Sequence, residues 1–170
     1  MYGTKSMLNL KSFLLITIIS MGFFFAASAQ DQSLEIKKLS KGADVILTGK
    51  VTKQNSSWNE NKTRIFTKAT LQVDEYLKGS NNKNSIEVTY PGGEVGEVGE
   101  LYTHMPRFKN DEEVLVFLQK DEKNTGYKVF NGEDGKITLI NDEKTGKKIT
   151  SSKVRIDYLK SQIKSFVNEK

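Results

Sequence analysis

The feature that most limits how this chain can fold is an alternation of apolar and polar residues with a period of two. From Asp44 to Lys53 (DVILTGKVTK), Val45, Leu47, Gly49 and Val51 share one face. From Thr63 to Leu77 (TRIFTKATLQVDEYL), Ile65, Thr67, Ala69, Leu71 and Val73 do the same. Successive side chains of a strand point to opposite sides of a sheet, so both segments are expected to be strands with one buried face. Gly49 inside its strand predicts a bend or a close backbone approach, as a barrel requires. The polar, Asn-rich stretch Gln54 to Lys62 is the expected hairpin tip.

Further strands follow. Ser85 to Tyr90 (SIEVTY) reads as a third, broken by Pro91-Gly92-Gly93. Glu113 to Gln119 (EVLVFLQ) is almost continuously apolar, the pattern of a central strand buried on both faces. Tyr127 to Phe130 and Lys136 to Ile140 are shorter strands, and Lys147 to Thr150 can pair back after the turn Asn141 to Gly146. The Gly-rich stretch from Pro91 to Asn110 holds the doublet Glu94-Val95-Gly96, Glu97-Val98-Gly99, too short for a repeat architecture. It lacks the spacing and following helix of a phosphate-binding loop, so its glycines read as turn positions.

Helices are expected at both ends of this β region. Leu34, Ile36 and Leu39 suggest a short helix within Gln30 to Gly42. At the other end, Ser151 or Ser152 can cap a helix with Ile156, Leu159, Ile163 and Phe166 on one stripe. Lys153, Arg155, Lys160 and Lys164 lie off that stripe, predicting a helix packed on the barrel with a solvated basic back.

The first residues read as an export signal. Lys5 and Lys11 precede the apolar run Ser12 to Ala26, and Ala27-Ser28-Ala29 supplies the small residues of a cleavage site before Gln30. The run is shorter than the roughly 18 apolar residues of a spanning helix, and no second such run follows. The expected layout is signal 1–29, helical lead-in 30–42, barrel 43–150 and helix 151–170, with a periplasmic or secreted destination. Removing residues 1–29 takes away two lysines and no acid, which lowers the net charge from +5 to about +3. That mild, mixed balance argues against nucleic acid as the partner. With no Cys in the chain, an exported domain this small must rely on packing rather than disulfides.

The residues offer little catalytic chemistry. A single His, His104, and no Cys leave no His/Cys zinc site and no nucleophilic triad. His104 sits in the loop Tyr102 to Phe108 (YTHMPRF) and reads as a polar surface residue. The acidic clusters Asp111-Glu112-Glu113, Asp121-Glu122, Glu133-Asp134 and Asp142-Glu143 flank strands and read as solvated turns. Asn141 to Ser152 fails as a calcium loop, because position twelve is Ser152 rather than Glu. No catalytic residue, metal or cofactor is therefore expected. The candidate contact residues are Trp58, Arg64, Pro91, Gly92, Gly93, His104 and Arg107. Trp58 stands out for its position among polar residues, where a Trp serves as a contact anchor or folds back over the barrel end.

The order of these segments resembles a known family. Ala43-Asp44-Val45-Ile46 with Gly49-Lys50-Val51, then a long strand closing on VDEYLKG (Val73 to Gly79), then the Ile86 to Gly93 strand and break, then NDEEVLVFL (Asn110 to Leu118), is similar to netrin-like domains and tissue inhibitors of metalloproteinases. Bacterial exported proteins share the pattern read here as Pro91-Gly92-Gly93, Gly96, Pro106-Arg107-Phe108 and Glu113 to Leu118. The resemblance implies an all-β fold with flanking helices, an OB-type five-stranded barrel of the kind that binds ligands through one face and its loops. The strand pattern and the missing catalytic constellation lead to the expectation of a non-enzymatic exported module whose partner is another exported protein or peptide; the resemblance adds a metalloprotease as an alternative, and a nucleic acid or glycan is a further one. The inhibitors act through an N-terminal Cys that this chain lacks, so the resemblance implies the fold and not the inhibitory mechanism.

Overall fold

A computed structural model describes residues 33–79, 83–122 and 126–169. The export signal and its cleavage point at Ala29–Gln30 lie outside the described residues. The chain divides into two compact units, Met1–Lys37 and Lys38–Lys170. Residues 33–42 are helical (α1), and the second unit carries everything that follows.

Nine strands and a second helix follow in order: β1 (Val45–Trp58), β2 (Ile65–Lys78), β3 (Ser85–Pro91), β4 (Gly93–Val95), β5 (Val98–Glu100), β6 (Glu113–Lys120), β7 (Tyr127–Val129), β8 (Lys136–Asn141), β9 (Lys148–Thr150) and α2 (Ile156–Asn168). In the large sheet β1 pairs with β2, β2 with β3, β3 with β7, β7 with β6, and β6 returns to β1. This closes a five-stranded barrel of the OB type, with β3 and β7 parallel and the other neighbours antiparallel. β8 and β9 extend the sheet beyond β6.

The alternation in the sequence fills the barrel. Val45, Leu47 and Val51 of β1, Ala69 and Leu71 of β2, Ile86, Val88 and Tyr90 of β3, and Val114, Val116 and Leu118 of β6 form one buried cluster. Gly49 sits beside an irregularity in the β1–β2 register. A Cβ there would lie 2.4 Å from the carbonyl oxygen of Gln72, so the sheet bends where backbone takes the place of a side chain. Strand β6 is buried from Val114 through Leu118. Its outward residues Leu115 and Phe117 stand opposite Thr48 and Ile46 of β1, forming a second apolar layer on the other side of the sheet. Leu39 of α1 and Ile156, Leu159 and Ile163 of α2 are also buried.

Three local expectations are corrected. β1 does not end at Lys53 but runs to Trp58, so the hairpin tip shrinks to Asn59–Arg64. The C-terminal helix starts at Ile156 with no side-chain cap. Ser151 and Ser152 lie in the preceding turn, held where Thr150 Oγ1 accepts the Val154 N–H at 3.2 Å. The basic side of α2 is also not wholly solvated, because Lys160 and Lys164 both reach Glu75 of β2 at 2.8 Å.

Candidate functional site

The ordered groups at one end of the barrel converge on a cleft of about 520 Å³. Its floor is the continuation of β1 and β2 past the packed cluster, where Gln54 and Ser56 face Ala69 and Thr67. Its walls are the β4–β5 hairpin and the strap Leu101 to Phe108.

The hairpin is built by the Glu-Val-Gly doublet. Val95 faces Val98 across it, and Gly96 takes the left-handed turn position at φ 62°. Gly93, at φ 131°, lies directly over the floor. A Cβ there would fall 2.2 Å from Thr67 Oγ1 and 2.4 Å from Ser56 Oγ, so only glycine lets the hairpin descend this far.

The polar groups of the floor are already bonded to one another. Thr67 Oγ1 donates to the Gly92 carbonyl at 2.6 Å, and the Ser56 hydroxyl, 2.8 Å away, donates to Thr67. Tyr90 Oη donates to Gln54 Oε1 at 2.8 Å, and Gln54 Nε2 donates to Asn110 Oδ1 at 3.3 Å. Glu100 Oε2 accepts the Tyr102 hydroxyl and the backbone N–H of Ile65, each at 2.9 Å. The bond to Glu100 holds the Tyr102 phenol above its ordinary range, and burial does the same for Tyr90. The Tyr90 and Phe108 rings lie 5.5 Å apart, centre to centre.

A second hollow of about 590 Å³ lies along the same strap and shares Leu101, Tyr102, Met105 and Arg107 with the first. It also includes His104, Glu133 and Lys136. Beside it, Glu112 departs from the solvated turn expected of its cluster. Its side chain is 11% exposed and 2.7 Å from Lys136 Nζ. Thr138 Oγ1 and the Lys109 N–H also donate to it. Burial works to raise the Glu112 carboxyl, but these hydrogen bonds outweigh burial and hold it below the usual range. Lys136 Nζ lies 5.3 Å from the centre of the Phe108 ring, a cation over an aromatic face.

Among the expected contact residues, Pro91, Gly92, Gly93 and Arg107 line the first cleft, and His104 and Arg107 line the second. His104 is exposed, in a left-handed conformation, with Nδ1 3.2 Å from Glu133 Oε1. Arg64 is exposed at the β1–β2 tip, and Trp58, half-buried, ends β1 opposite Ile65. Neither lines these two clefts. The sequence reading missed Leu101, Met105 and Val98, which are 69%, 38% and 47% exposed. For Leu101 and Met105 the signal was an apolar residue at each end of a stretch with no strand partner.

Among the described residues no group of three His, Cys, Asp or Glu side chains is placed to hold a metal ion, and no helix is long and apolar enough to cross a membrane. No protein-family model matches the chain, and no curated protein does.

Proposed function

We propose that this protein is an exported, non-enzymatic binding module that takes a protein or peptide segment at the mouth of its barrel. One observation carries the reading. Leu101 and Met105 stand exposed on the strap between two adjoining clefts, with Val98 on the neighbouring strand. Exposed apolar side chains rimmed by polar groups are the usual mark of a contact surface. The bonds among Ser56, Thr67, Gln54, Tyr90 and Glu100 favour a preformed surface, which binds without a cost of ordering. The OB-type barrel and the resemblance to netrin-like domains support the same reading, since barrels of this type use loops at one end for ligands.

The test is to pan a displayed random-peptide library against the full chain and measure the enriched peptides by calorimetry. The double variant Leu101→Asp, Met105→Asp is expected to weaken binding about tenfold or more while leaving thermal stability unchanged. Peptides that bind this variant as well as the parent would overturn the assignment.

A further inference from the structure

The arm of β1 beyond the barrel has one paired edge and one open edge. The pattern is set at Asn59, whose N–H donates to the Arg64 carbonyl at 2.8 Å. The β1–β2 register is regular from Lys53↔Thr70 to Trp58↔Ile65, and antiparallel bonding alternates. The backbone groups of Lys53, Asn55 and Ser57 therefore point to β2, and those of Gln54, Ser56 and Trp58 point away from it. The Val51 bonds agree. Its N–H donates to Glu112 and its carbonyl accepts from Asp111, on the side away from β2. The register shift between Val51 and Lys53 brings Gln54 onto that same side.

Past Val51 this side has no strand. β6 leaves β1 at Lys50, and β4 pairs only with β5. Gly93 of β4 lies over the side chains of Ser56 and Thr67, not in the plane of the ladder. Among the described residues, no group bonds the outward N–H or carbonyl of Gln54, Ser56 or Trp58. Open edges are normally blunted by Pro, by charge or by shortness. Gln54 to Asn59 contains no Pro and no charged residue.

We infer that this edge pairs with the same edge of a second copy of the chain, antiparallel about a two-fold axis at Ser56. In that register Gln54 faces Trp58 of the second copy and Ser56 faces Ser56. Every outward N–H then meets an outward carbonyl, the self-complementarity that a two-fold interface requires. Between Lys53 and Asn59 the one charged residue is Lys53, which falls opposite Asn59 of the other copy, so no like charges meet in the paired stretch. The inference does not depend on the ligand-binding role of the mouth, and it joins two mouths across one continuous sheet.

Sedimentation velocity on the full chain over a range of concentrations tests it. A dimer that grows with concentration is expected. Ser56→Pro removes an outward N–H and the hydroxyl bonded to Thr67, neither of them part of the β2 ladder, and it should weaken dimerisation about tenfold or more through the bonds lost at the axis. Ser56→Ala keeps the N–H and should stay within about twofold. A monomer throughout, or a dimer indifferent to Ser56→Pro, overturns the inference. Cross-linking gives a second readout if the Pro variant unfolds. The chain has no Cys, and the register places Asn55 opposite Ser57 of the other copy, both exposed. Mixed Asn55→Cys and Ser57→Cys proteins should form the hetero-disulfide in excess over either homo-disulfide. Equal yields would overturn the register.

Discussion

Glu100 Oε2 lies 2.9 Å from the backbone nitrogen of Ile65 and accepts its hydrogen bond. Ile65 is fully buried, and its carbonyl is taken by the Gly92 N–H, just past the end of β3. A carboxylate thus completes the ladder where the third strand runs out. Glu100→Ala would leave a buried N–H without an acceptor, at a cost of about 1–3 kcal/mol. Glu100→Gln keeps an acceptor oxygen and should cost less than half as much. Urea unfolding of the two variants makes the comparison, and equal losses would show that the bond to Ile65 is not what matters.

The Glu112–Lys136 pair gives the domain an acid sensitivity. Its carboxyl is held below the ordinary value of 4.5 in the folded state. The stabilisation is therefore present above the unfolded-state value and is lost as pH falls through the lower folded one. Melting temperature should decline below about pH 4.5, and Glu112→Gln should flatten that decline while lowering stability at neutral pH. Lys136→Met, which strands the carboxylate in a site 11% exposed, should cost about 3 kcal/mol. A wild-type slope unchanged in Glu112→Gln would assign the acid sensitivity elsewhere.

Gly93→Ala tests the descent of the hairpin. The new methyl meets two hydroxyl oxygens inside van der Waals distance, at a φ that L-residues rarely adopt. A loss of about 1–3 kcal/mol is expected, with the β4–β5 hairpin lifted from Ser56 and Thr67. Gly96→Ala, with the same sign of φ but open space around it, should cost about 1 kcal/mol. The excess loss at Gly93, measured by thermal unfolding, reports the contact together with the less accessible φ of 131°; equal losses would mean that the hairpin tolerates the methyl.

Glu75 joins α2 to the barrel through Lys160 and Lys164. All three side chains are partly exposed, so Glu75→Gln should cost only about 0.5–1 kcal/mol, and less in high salt. Hydrogen exchange of α2 amides should accelerate more than that of β6 amides. Uniform acceleration would mean that the helix does not open separately from the barrel.

The barrel itself was legible because its inner face alternates strictly and β6 is apolar from Val114 through Leu118. Gly49 announced its close approach for the same reason: a gap in an otherwise apolar face. The arm Gln54–Trp58 was not legible as strand, since alternation among polar residues shows no contrast. It is carried by its neighbour, through Ile65 and Thr67. Glu112 could not be told from its solvated neighbours because its partners Lys136 and Thr138 lie 24 and 26 residues away, beyond any local spacing rule. The β4–β5 hairpin was visible as a Glu-Val-Gly doublet, but only the structure turned the two copies to face each other. The cleft combines both cases. Its glycines were marked by composition, whereas Leu101 and Met105 acquire their importance from being left uncovered.

Among the described residues, the ring of strands closes at one place by a single residue pair, Val88↔Tyr127. Ile86, Val88 and Val129 in the buried cluster, with Tyr127 packed against it, do most of the fastening there. The barrel there is less a hoop than a curled ribbon whose ends meet edge to edge, with apolar packing as its main fastening. Such a seam gives way to whatever competes for apolar surface sooner than to whatever competes for hydrogen bonds, so detergents should unroll this domain from β3 and β7 before they disturb the stitched join of β1 and β6.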